Sequence, residues 1–138
     1  MSLVVSKEVA DKELIEFYNQ YSLIPGIEDE VLEDLNIVSL AIQQGFLVFD
    51  ENKVPTYTLK TPVKNTDDEV VLDKVTFKTR IFPNDHVKLS KGLNISKEVM
   101  TYALRCTAYL AGLSSPAYLN KLSKFDYTVI QQVGTVFA

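Results

Sequence analysis

Catalytic equipment is what this sequence has least of. It holds one histidine, His86, one cysteine, Cys106, and no tryptophan. A lone cysteine excludes an internal disulfide and fits a reducing compartment. With no second His or Cys nearby, His86 in the turn after Pro83-Asn84-Asp85 has no partners for a metal site. No G-x-S-x-G, no H-E-x-x-H and no glycine-rich phosphate loop is present. The five glycines stand near helix ends or turns, except Gly134. Acid–base or nucleophilic chemistry would have to rest on carboxylates and lysines alone, so the reading is a non-enzyme with no cofactor. No run of 18 apolar residues offers a membrane span, and no secretory leader pattern opens the chain.

Positive charge is also short. Fourteen Lys and Arg against 18 Asp and Glu leave −4, with Lys88, Lys91 and Lys97 the only loose basic group. That balance disfavours nucleic acid as a partner and with it a small DNA-binding regulator, since phosphate binding needs concentrated basic surface. What the chain does have is apolar content: 46% of its 138 residues are hydrophobic, enough for a sizeable core.

The first 54 residues read as a helical extension. Ser6 can cap a helix to Tyr21, and Pro25-Gly26 turns the chain. A second helix, Ile27–Gln44, opens on Glu28, Asp29 and Glu30 at its electropositive end. It carries Val31, Leu35, Val38 and Ile42 on one face and closes on Gly45. The acidic cluster it shares with Glu33 and Asp34 reads as a solvated face, with a cation site as the alternative. Phe46–Phe49 is a brief buried strand ending in the turn Asp50-Glu51-Asn52.

From residue 55 the period changes to two. Tyr57–Thr61 and Val71–Arg80 alternate apolar and polar residues across a polar turn, which predicts a β-hairpin limited by Pro62. Val75, Phe77, Thr79 and Ile81 should share its inner face. Ser96–Gly112 then reads as a central helix capped by Ser96 and stapled by Ile95 and Met100. Its two apolar stripes run through Val99, Tyr102, Ala103, Cys106 and Leu110, and through Met100, Leu104, Ala108 and Ala111. Burial in its own core is the expectation, and an open partner groove is the alternative. Ser115-Pro116 opens a helical turn over Ala117–Leu122. Ser123-Lys124-Phe125-Asp126 opens a last helix that packs Phe125, Val129, Val133 and Val136. Ile130 and Phe137 fall off that stripe and are expected on the surface, where the uncharged ending Gly134–Ala138 would gain by covering something. The fold class is therefore α+β: N-terminal helices, a central hairpin, and C-terminal helices packed on it.

The second half also resembles a known family. Thr58-Leu59-Lys60-Thr61-Pro62-Val63 answered by Val75-Thr76-Phe77-Lys78 is similar to the "TLK-P" and "LTFR" strands of the tail assembly chaperones of long-tailed, contractile-tail phages. Leu104–Leu113 resembles that family's apolar helix with its "TGL" turn. Tyr118-Leu119 through Asp126-Tyr127 and Val133 resembles its "LD-L---DY--I" close. The likeness covers about residues 56–138. The hairpin loop lacks the glycine such a hairpin would carry, and residues 1–54 have no counterpart. The resemblance implies a protein of the host bacterial cytoplasm that coats the phage tape-measure protein, keeps its apolar helices soluble, and works as a homo-oligomer. Its partner contacts would be Arg105 and Tyr109 at the edge of the central helix, with Ile130 and Phe137 on the last one. The rival readings are a structural tail or connector subunit, and an interaction module of unrelated role.

Overall fold

Ser6 starts the fold where its position predicts. Its hydroxyl accepts the Val9 N–H at 3.2 Å and caps helix α1, Lys7–Tyr21. The computed structural model describes residues 4–137; Met1, Ser2, Leu3 and Ala138, the outermost residues of the sequence reading, lie outside the described residues. After α1 come α2 (Glu28–Asp34), α3 (Asn36–Gln43), β1 (Leu47–Phe49), β2 (Pro55–Lys64) and β3 (Val70–Thr76). The chain ends in α4 (Pro83–Leu89), α5 (Val99–Leu110), a 3₁₀ turn (Pro116–Lys121) and α6 (Lys124–Phe137). The architecture is α+β, with an antiparallel sheet in the order β1-β2-β3.

The helix expected over Ile27–Gln44 is two helices, broken at Leu35 (φ −113°, ψ 32°). No proline or glycine marks the break. Gln132, 94 residues away on α6, accounts for it by accepting the Val38 N–H, a donor that the new first turn of α3 leaves free. The kink keeps Val31, Leu35, Val38 and Ile42 buried together. Gly45 caps α3 as expected, in the left-handed region at φ 81°. At Gly26 a Cβ would stand 2.5 Å from Val31 Cγ2 and 2.6 Å from Tyr18 Cε1, so the turn there admits only glycine without rearrangement.

The hairpin differs from its expectation at both strands. β2 continues through Pro62 to Lys64, because Leu59 to Pro62 bulge out between the pairs Thr58–Lys74 and Val63–Leu72. β3 stops at Thr76 instead of Arg80. Beyond it the Lys78 N–H turns to the Leu110 carbonyl at 2.7 Å, at the end of α5. Phe77 and Ile81 stay buried out of the ladder, and Thr79 is exposed. β1 makes the sheet three-stranded, pairing Leu47 with Tyr57 and Phe49 with Pro55. A strand from before residue 54 thus lies in the same sheet as the hairpin. One apolar core joins Leu14, Phe17 and Val38 to Tyr57, Leu110 and Val129, so the expected boundary at 54/55 does not separate one core from another.

The largest correction concerns the last two helices. α5 begins at Val99, not Ser96, and the Ser96 hydroxyl turns instead to Asn94 Oδ1 at 2.8 Å. It buries only Cys106, Ala108 and Leu110, all in its second half. The buried axis is α6, which touches α1, α3, α5 and β2. Covered on several sides, it buries Val129, Val133 and Val136 and also Ile130 (0% exposed) and Phe137 (6%). The Phe137 ring lies 5.4 Å from Phe17 and 5.1 Å from Tyr21, centre to centre. The surface placement expected for Ile130 and Phe137 is therefore wrong: the helix buries a second stripe beside the first.

Asp126 holds α6 to the sheet. Ser123 Oγ accepts the Asp126 N–H at 3.2 Å, as the capping signal predicts. The Asp126 carboxylate, fully buried, turns into the core. It accepts Tyr57 Oη–H at 2.5 Å, Lys60 N–H at 2.9 Å and Thr61 N–H at 3.0 Å. The two amides belong to the bulge, where no neighbouring strand residue faces them. Asp126→Ala leaves the buried Tyr57 hydroxyl and two part-buried amides without their acceptor and should cost on the order of 2–3 kcal/mol in chemical denaturation; a loss under about 1 kcal/mol would show that water replaces the carboxylate. Burial first, and Asp126 second, raise the Tyr57 hydroxyl above its ordinary value of 10.0. The unfolded chain then releases this proton before the folded one does. Stability from this group is intact below pH 10 and declines above it, by about 1.4 kcal/mol per pH unit. Tyr57→Phe should make the alkaline decline shallower than wild type in denaturation curves taken between pH 9 and 11, the remainder coming from other raised groups such as Cys106 and Tyr109.

Candidate functional site

α5 carries more apolar surface than a solvent-facing helix can, and the fold covers half of it. Val99 is 62% exposed and Met100 70%. Phe82, Val87 and Ile95, from the chain around α4, the helix that packs on α5, are exposed as well. Scattered apolar residues are ordinary on a surface; a group supplied by two adjoining elements is not.

Two grooves flank this half of α5. One, of about 300 Å³, runs towards α6 and is lined chiefly by Ile81, Val99, Tyr102, Ala103, Cys106 and Gly134. The other, of about 510 Å³, lies along the neighbouring face between Met100, Leu104, Leu119, Leu122 and Tyr127, with Asn120 and Lys124 also lining it. Gly134, the glycine with no turn to explain it, forms part of the first groove's floor. The two stripes assigned to burial in the sequence thus end as the walls of two open grooves.

The four expected contact residues do not come together at either. Ile130 and Phe137 are core. Arg105 Nη1 donates to the carbonyls of Leu89 (3.0 Å) and Lys91 (2.9 Å), pinning the end of α4 to α5. Lys78 Nζ stands 3.7 Å from the centre of the half-buried Tyr109 ring. The nearby Asp85 carboxylate raises the Tyr109 phenol above its usual range. The Phe82 N–H, 3.0 Å from Asp85 Oδ2, holds that carboxyl below its own. Arg105 and Tyr109 are engaged within the chain, fastening α4 and the post-β3 segment to α5.

His86 and Tyr102 are hydrogen-bonded side chain to side chain at the first groove's rim. Cys106 lines the same groove. Among the described residues no group of three or more His, Cys, Asp or Glu is placed to hold a metal ion. That includes the acidic residues of α2, which stand as a solvated cluster. Among the described residues no helix is long and apolar enough to cross a membrane. Compared with family models, curated proteins and solved structures, the chain finds no match in any of the three. The likeness to tail assembly chaperones rests on the residues quoted for it.

What this arrangement can do is receive apolar side chains. Residues such as Val99 and Met100 escape simple sequence rules, because periodicity counts apolar faces without showing which neighbour covers them. Their one signal was excess: two stripes on a helix beside a short sheet.

Burial raises the Cys106 thiol above its ordinary value. At pH 7.5 little thiolate forms, and Cys106 is buried in the groove wall. Labelling with a disulfide reagent should be slow in the native protein and immediate in denaturant. Stoichiometric reaction within seconds under native conditions would mean that the groove opens down to the sulfur.

Proposed function

We propose that this chain is a non-enzymatic helix-binding chaperone of the phage tail-assembly type, acting in the host cytoplasm on the tape-measure protein. The observation that carries the reading is the uncovered first half of α5, a helix with two apolar stripes and only one end packed. A helical client lays its apolar face in a groove with anchors at i, i+3 or i+4 and i+7. Met100 and Leu104, one turn apart beside Leu119, Leu122 and Tyr127, form a wall suited to such anchors. Methionine adapts to different partner shapes at small cost, which suits a client presenting many similar segments. The strand and helix residues that resemble the chaperone family support the identity of the client.

The client surface is thus drawn from Met100 and Leu104 in place of Ile130 and Phe137. Several copies along one tape-measure protein would each cover a stretch of it, with avidity from their neighbours. Co-expression tests the reading. Wild-type chain should keep the tape-measure protein in the soluble fraction and co-purify with it, and be missing from finished tails. Met100→Glu, at an exposed position, should leave folding intact and lower recovery of the client by about tenfold or more. A chain that stays in the finished particle would be a structural tail component instead. Undiminished recovery with Met100→Glu would remove the client from this groove.

A further inference from the structure

The loop between α1 and α2 carries the most exposed large apolar residue in the described chain. Leu23 is 96% exposed, and Ile24 and Ile27 beside it are also exposed. The loop is held in shape. Ser22 Oγ donates to the Ile24 carbonyl at 3.0 Å, the Ser22 N–H returns to Tyr18, and Gly26 packs against Tyr18 and Val31 without room for a Cβ. A rigid apolar tip loses little entropy when it is bound.

Thr135, exposed on α6, borders both the hollow behind this loop and the α5–α6 groove lined by Val99 and Ala103. An apolar projection and an apolar recess therefore lie on one face, either side of one helical strip. The chain segments that supply them differ in charge. Residues 22–35 hold five acidic side chains, Glu28, Asp29, Glu30, Glu33 and Asp34, and no basic one. Residues 78–98, which bound the groove at Ile81 and His86, hold five basic side chains against two acidic ones.

We propose that this face is the interface of a two-fold dimer. The axis passes near Gln131 and Thr135, and the Leu23 tip of each copy seats in the Val99–Ala103 groove of the other. A two-fold axis makes every contact twice, so one patch holding both projection and recess is self-complementary. The acidic α2 region of each copy then faces the basic groove margin of its partner, which favours this register over a like-charged one. The client groove at Met100 lies on the next face of α5, shares no lining residue with this one, and stays open. This inference stands whether or not the client is a tape-measure protein.

Sedimentation velocity on the full chain tests it. The wild type should be a dimer at tens of micromolar, with the dimer weakening as salt is raised. Leu23→Asp and Ala103→Lys, both at exposed positions, should each give folded monomers by circular dichroism, with association weakened about tenfold or more. Mixed in equal amounts, they should form a heterodimer tighter than either variant alone, since one contact is native and the other sets the introduced carboxylate against the introduced ammonium. A wild type that is monomeric at several hundred micromolar overturns the proposal. So do variants that dimerise normally, a mixture that does not recover, or assemblies that grow past the dimer.

Discussion

A fully buried carboxylate, Asp126, is the constraint on which the rest of this structure depends. Burying an ionised carboxyl is costly unless donors replace its water. Three do: the Tyr57 hydroxyl and the amides of Lys60 and Thr61. The amides are available only because β2 bulges over Leu59–Pro62, and Pro62 itself has no N–H to satisfy. The bulge would otherwise leave two part-buried amides without a protein acceptor. Asp126 and the bulge thus require each other, and together they fix the height and rotation of α6 against the sheet.

With α6 fixed, the other helices follow. Its far side meets α1 and α3, where Gln132 supplies the acceptor that lets α3 start afresh at Asn36. Its C-terminal turn puts Phe137 among Phe17, Tyr21 and Phe77, which join residues from before and after the hairpin. Polar needs are met throughout: among the described residues only Gln44 Oε1 is a buried side-chain oxygen without a partner. α5 is the element left over. It is fastened at its second half by Leu110 and the Lys78 amide, and at its flank by Arg105. Nothing covers its beginning.

The elements that local pattern controls were legible in the sequence. Ser6, Gly45, Ser115 and Ser123 act as the caps their positions predict, because a cap concerns only three or four neighbouring residues. The break at Leu35 and the burial of Asp126 were not legible, since both are decided by partners more than 60 residues away. Asp126 even gave a misleading local signal. As the third residue after Ser123 it reads as half of a capping box, and its side chain goes to the core instead. The exchange of roles between α5 and α6 has the same origin. Both helices carry more than one apolar stripe, and counting stripes cannot rank two such helices. Their C-terminal positions differ: α6 ends among Phe17 and Tyr21, residues of the N-terminal region. Treating residues 1–54 as an extension removed from view the very surface that buries Ile130 and Phe137.

Placing α6 in the middle also explains why the open surface is divided into two grooves. A helix seated on one flank of α6 leaves a furrow where their cylinders diverge, and the 3₁₀ turn at Pro116–Lys121 walls a second furrow on the outer flank. Extending α5 backwards to Ser96 would not close either one, because Asn94 and Glu98 hold the preceding turn through their own hydrogen bonds. The exposed apolar area is thus a consequence of helix geometry, not of loose packing. Charge is distributed to match: the acidic residues gather before Leu35, and the basic ones gather in the segment that leads into α5. A net charge of −4 spread evenly would oppose association of copies at every approach. Segregated along the chain into an acidic and a basic segment, the same residues repel most approaches and would attract only one that sets the two segments against each other.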